Sequence, residues 1–132
     1  MTSNDPPESG TPSLPLILQT MAMPADTNPA GDIFGGWLLS QMDVAGGVAA
    51  RRRAGGRIAT VAIEAMQFHR PVMVGDLVGS YAEVVRVGRT SVAVQVEIWV
   101  RRADHPEPVK VTHGIFTYVA LDEHRRPRPV DA

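Results

Sequence analysis

The run from about Gly36 to Arg53 constrains this chain more than any other. Trp37, Leu38, Leu39, Met42, Val44, Ala45, Val48, Ala49 and Ala50 leave almost no polar face, with Ser40, Gln41 and Asp43 the exceptions. A helix that is apolar nearly all round has to be buried. Gly46 and Gly47 within it cost helix propensity but let a sheet or a partner helix approach closely. Arg51, Arg52 and Arg53 suit the negative end of the helix dipole, and Gly55 and Gly56 then stop the helix. Beyond this point the apolar period changes to two. Arg57 to Phe68 alternates Ala59, Val61 and Ile63 against Thr60, Ala62 and Glu64. Leu77 to Val87 places Tyr81, Val85 and Val87 on one face. Thr90 to Arg102 sets Val92, Val94, Val96, Ile98 and Val100 against Ala93, Gln95, Glu97 and Trp99. Val109 to Leu121 carries Val111, Ile115, Val119 and Leu121. Ahead of the helix, Leu14 to Met23 reads as a strand with Pro15 near its start, where proline is tolerated. One strand, one buried helix and four strands joined by short turns predict antiparallel neighbours. The fold class is α+β, one long central helix wrapped by a curved antiparallel sheet.

With 132 residues the chain is expected to form one domain, residues 14–132, behind a disordered tail of residues 1–13 that holds four prolines or glycines. A net charge of −1 gives no reason to expect nucleic acid or an anionic membrane as partner. The absence of cysteine removes thiol nucleophiles, disulfides and thiolate metal sites. His69, His105, His113 and His124 show no ligand spacing, so no metal is expected. The amino terminus has no basic start and no apolar run, and every apolar stretch is much shorter than a membrane span. A soluble cytoplasmic protein is the expectation.

The chemistry centres on a polar loop, a Gly-Gly start and one acid. Asp43 is costly in an apolar helix unless something uses or satisfies it. Gly35 and Gly36 leave bare N–H groups at the positive end of the dipole, which can hold an anion or a developing oxyanion. Asp43 can activate a water or attack a carbonyl directly, and both routes stay open. Asp43 lies seven residues beyond Gly36, roughly 10 Å along a helix rising 1.5 Å per residue. One helix cannot bring both groups to one reacting carbon. Two antiparallel helices from two subunits can, so the site is expected at a dimer interface. Asn28 offers an amide to such a site, or simply an Asx-turn. Asp32 reads as a helix-entry or turn residue rather than a second catalytic acid. Ser40 lacks a nucleophile elbow.

Ala22-Met23-Pro24-Ala25-Asp26-Thr27-Asn28, Gly31-Asp32-Ile33-Phe34-Gly35-Gly36-Trp37 and Ser40-Gln41-Met42-Asp43 closely resemble the YciA-like acyl-CoA thioesterases. So do Phe68-His69-Arg70-Pro71, Val74-Gly75-Asp76 and Val87-Gly88-Arg89-Thr90-Ser91. The resemblance spans about residues 16 to 130. It implies a hotdog fold, dimers assembled into hexamers as a trimer of dimers, and hydrolysis of acyl-CoA thioesters without a resident cofactor, CoA being part of the substrate. It implies that Asp43 is catalytic, and that Asn28 and the backbone of Gly35 and Gly36 complete the site across the dimer. CoA phosphates call for Arg, Lys and backbone donors. Arg89, in the turn Gly88-Arg89-Thr90-Ser91, is the first candidate. Arg57, Arg125, Arg126 and Arg128 are weaker ones, and a solvated surface charge is the alternative for each. The buried helix implies a largely apolar acyl tunnel. A non-catalytic acyl-CoA-binding or sensing module is the runner-up, though it would have little need of Asp43. A hotdog dehydratase would need a histidine that the central helix lacks.

Overall fold

The computed structural model describes residues 10–131, with strands β1 (Leu16–Met21), β2 (Ile58–Phe68), β3 (Leu77–Val87), β4 (Ser91–Arg101) and β5 (Val109–Ala120), and one α-helix, α1 (Gly35–Ala54). Residues 1–9 of the expected tail lie outside the described residues; residues 10–13 carry no helix or strand, and Gly10 N donates to Pro108 O at 3.1 Å. The strands form one antiparallel sheet in the order β1-β3-β4-β5-β2. β1 and β2 are its opposite edges, so α1 carries the chain from one edge to the other across the sheet face. This is the helix-on-sheet layer expected, and its topology is that of the hotdog fold.

The short-connection rule holds for β3–β4 and β4–β5 but fails for β2 and β3, which β4 and β5 separate. The connection, residues 69–76, is long enough. Eight residues reach about 28 Å at most, and three strand spacings need only about 14 Å. Asp76 pins this connection: its Oδ2 accepts from Met73 N at 2.9 Å and Arg102 Nε at 3.1 Å, while Arg102 Nη2 donates to Pro71 O at 2.7 Å.

Val92, Val94, Val96, Ile98 and Val100 of the central strand β4 are fully buried against Leu38, Met42, Ala45 and Ala50 of α1. The opposite face of β4 is buried too. There Glu97 is satisfied by Trp99 Nε1 at 3.0 Å, Gln95 Nε2 at 3.1 Å and Lys110 Nζ at 3.4 Å. Three faces differ from those expected, because β2 and β3 carry bulges and the core face of β5 is largely aromatic rather than aliphatic. In β3 an extra residue between Val84 and Arg86 turns Val85 out to solvent while Val84 and Val87 pack on the core. In β2 an extra residue after Thr60 puts Thr60 and Ile63 on one face, opposite Tyr118 and Phe116. In β5 the core face is Phe116, Tyr118 and Ala120, and Ile115 and Val119 lie on the other side. A bulge shifts every later side chain to the opposite face.

The helix ends as expected. Gly55 adopts φ 72°, and its N–H donates to Arg51 O at 2.9 Å. It is not buried all round within one chain: Leu38, Met42, Ala45, Gly46, Ala50 and Ala54 face the sheet, and Val44 is 54% exposed.

Candidate active site

Helix α1 starts without a side-chain cap. Phe34 occupies the N-cap with φ −57° and ψ 135°, and Trp37 N and Leu38 N both turn back to Phe34 O at 3.1 and 3.3 Å. The N–H groups of Gly35 and Gly36 have no acceptor among the described residues, and both glycines are exposed. A serine or aspartate cap would have occupied such donors. The preceding loop is closed by hydrogen bonds of Asn28. Asn28 Oδ1 accepts from Ala30 N at 2.9 Å and Asp32 N at 3.1 Å, and Asn28 N donates to Asp32 O at 2.6 Å. Asn28 thus makes the Asx-turn, which commits its carbonyl oxygen and leaves its amide nitrogen without an acceptor among the described residues. Of the two readings of Asp32, helix entry and turn, the structure shows the turn. Asn28, Asp32, Gly35, Leu38, His69 and Arg70 help line a cavity of about 350 Å³. His69 stands at its wall, stacked on His113 with Nε2 and Nδ1 3.0 Å apart.

Asp43 is half-buried midway along α1 and does not line that cavity. Its Oδ1 accepts from Thr60 Oγ1 at 2.8 Å and lies 3.0 Å from Tyr118 OH. Its Oδ2 has no donor among the described residues. Burial, and then the charge of Asp43, push the Tyr118 phenol well above its ordinary range, so it remains a proton donor. The carboxylate is therefore held at one oxygen and open at the other. Sequence reasoning missed Thr60 and Tyr118, since a period-two reading of β2 and β5 that looks for aliphatic residues passes over both. Ser40 is structural, its hydroxyl donating to Trp37 O at 3.0 Å.

A third group gathers at the far end of the sheet, where α1 ends. Gly88 N donates to Ser91 O at 2.8 Å and closes the β3–β4 turn; Ala120 N donates to Thr90 O and Val130 N to Arg89 O. The Arg89 side chain is exposed. Arg57 lines a cavity of about 600 Å³ with Arg51, Gly56, Asp122 and Arg128. Arg128 lines the same cavity and is tied to backbone carbonyls. Its guanidinium donates to Ala54 O at 2.9 Å, Leu121 O at 3.1 Å and Pro129 O at 3.1 Å, so it caps the end of α1. Arg125 and Arg126 sit in an exposed turn closed on the Asp122 carboxylate. Among the described residues no cluster could hold a metal ion, and no helix is long and apolar enough to cross a membrane.

One helix laid over a five-stranded sheet of this order, with an acid held mid-helix and bare N–H groups at the helix start, defines a hotdog-type protein with a polar centre. The Thioesterase superfamily matches residues 30–104, and the chain belongs to that superfamily, among its YciA-like hotdog-fold members. It is 50% identical over 124 residues to the acyl-CoA thioester hydrolase YciA of Salmonella typhimurium, covering 91% of this chain and 92% of that protein. It is similar to the hexameric thioesterase y2039 of Yersinia pestis, with a TM-score of 0.87, 44% identity, and coverage of 92% of this chain and 99% of that one. It is also similar to Cj0915, a hexameric hotdog fold thioesterase of Campylobacter jejuni, with a TM-score of 0.83, 42% identity, and coverage of 87% and 89%.

Proposed function

We propose that this chain hydrolyses acyl-CoA thioesters to a free carboxylic acid and CoA, and that Asp43 carries the reaction. The observation behind this reading is the Asp43 carboxylate, anchored through Oδ1 with Oδ2 free of protein donors. A water bound at Oδ2 gives its proton to that oxygen as its own oxygen attacks the thioester carbonyl. The carbonyl oxygen takes up the negative charge and is met by the N–H groups of Gly35 and Gly36, with the Asn28 amide beside them. Collapse of the intermediate breaks the C–S bond, and the departing thiolate recovers the proton from Asp43.

Within one chain the Gly35 cavity and Asp43 stand apart, as their spacing along α1 requires. A homodimer resolves this by setting the helix start of one subunit beside Asp43 of the other. Exposed apolar groups support this assembly: Val44 on the helix at 54%, and Val61 and Ile63 on the edge strand β2 at 57% and 43%. An edge strand with apolar exposure is ordinarily covered in a stable protein. The hexameric relatives support a trimer of such dimers. Arg89, Arg57 and the hydroxyls of Thr90 and Ser91 hold the CoA phosphates, with Gly88 closing the turn that presents them. CoA enters as substrate, and no cofactor is needed.

The test is thiol release from a panel of acyl-CoA substrates of different chain length. Hydrolysis of at least one of them by the wild-type protein is expected. A folded protein that binds acyl-CoA and releases no CoA overturns the reading and makes it a binding module.

A further inference from the structure

The Asp43 carboxylate rests on two hydroxyls that the scheme above does not use. Thr60 and Tyr118 are direct cross-strand partners in β2 and β5, and both reach Asp43 Oδ1. Tyr118 is fully buried, its ring lying 6.5 Å from that of Phe116. Phe116 shows what an aromatic that only fills this core looks like, for it carries no hydroxyl. The hydroxyl of Tyr118 sits directly against α1, 3.1 Å from the Asp43 carbonyl and 3.0 Å from Asp43 Oδ1. That approach exists because residue 46, one turn past Asp43, is glycine. A Cβ there would collide with the Tyr118 hydroxyl and stand 3.2 Å from Val96 Cγ2.

We propose that Tyr118 is a positioning residue: its hydroxyl, admitted to the helix by Gly46, holds Asp43 Oδ1 so that Oδ2 faces the reacting water. This rests on the thioesterase reading above. A carboxylate on a helix swings between rotamers, and a donor fixed at one oxygen selects the one in which the other can work. Thr60 shares the task from the exposed edge strand. Tyr118 is the stiffer support because its ring cannot move within the packed core.

The test is Tyr118→Phe, which keeps the ring and removes the oxygen. The expected result is a kcat about 10- to 100-fold lower, the scale of a lost hydrogen bond to a charged group, with KM within about threefold of wild type. Thr60→Val gives a smaller loss of the same kind. In an Asp43→Asn background Tyr118→Phe has no further effect on the residual rate, because it acts through that carboxylate. An unchanged kcat in folded Tyr118→Phe overturns the proposal, and so does a second full loss in the double variant. A wild type that hydrolyses nothing sinks the thioesterase reading and the positioning role with it. The contact itself is read separately by chemical denaturation of wild type, Asp43→Ala, Tyr118→Phe and the double variant: a coupling between the two positions is expected, and simply additive losses overturn the contact.

Discussion

Gly46→Ala should unfold this protein more readily although alanine is the better helix former. A Cβ at position 46 would overlap the Tyr118 hydroxyl and stand 3.2 Å from both Tyr118 Cζ and Val96 Cγ2. Tyr118 and Val96 are fully buried, so neither has room to give way. Overpacking of this kind costs about 1–3 kcal/mol. Pushing the hydroxyl off Asp43 costs about 1.5–3 kcal/mol more. The helix regains at most about 1 kcal/mol from losing a glycine. The net destabilisation is about 1.5–5 kcal/mol, or roughly 5–20 °C in Tm for a domain of this size. Thermal melts of wild type, Gly46→Ala and the double variant Gly46→Ala/Tyr118→Phe at one protein concentration measure it. The double variant should recover part of the loss, since removing the hydroxyl opens the space. A Gly46→Ala protein that melts at or above wild type, or a double variant with no recovery, refutes the packing logic.

Three further outcomes follow from the same contacts. Tyr118 has its folded pKa raised, so its contribution to stability is complete below its unfolded value and declines as pH rises above about 10, at roughly 1.4 kcal/mol per pH unit. Melts from pH 9 to 11 should therefore fall more steeply for wild type than for Tyr118→Phe. Arg128→Ala removes the side-chain donors to Ala54, Leu121 and Pro129 and should cost about 1–3 kcal/mol in chemical denaturation. Arg89→Ala should raise KM for acyl-CoA about 5- to 20-fold with kcat nearly intact, and the loss should shrink in high salt, as steady-state kinetics at two ionic strengths will show.

Much of this was legible in the residues because the strongest signals were local. The apolar run of α1, the strict alternation of β4 and the glycine stop at Gly55 each depend on neighbours in sequence, and each appears as expected. Asp43 stood out because an acid in such a helix demands an explanation. Three features were hidden for physical reasons. Bulges after Thr60 and at Val85 reverse which side chains face the core, and no residue type marks them in this chain. The separation of β2 from β3 depends on a connection long enough to cross two strands, and its length alone does not reveal the route. Tyr118 and Thr60 become partners of Asp43 only when β5 and β2 pair in register across a gap of more than fifty residues. One local clue was available: glycine rather than alanine at position 46, inside an unbroken helix and three positions after the acid. Such a glycine signals close approach by something large, which proves to be the Tyr118 hydroxyl.

The claim that one reaction centre draws its carboxylate and its N–H donors from two chains is tested most directly by subunit complementation. Asp43→Asn removes the carboxylate proposed as the base. Gly35→Pro removes one backbone donor at the first helical position, where proline is tolerated and Phe34, at ψ 135°, already has the conformation that precedes proline. Each variant alone should be strongly impaired. Mixed one to one and reassembled, half of the dimers are hybrids with one intact site of two, so activity should return to about a quarter of wild type. If both groups come from one chain, no intact site can form, and activity that stays at the level of the separate variants would contradict the account.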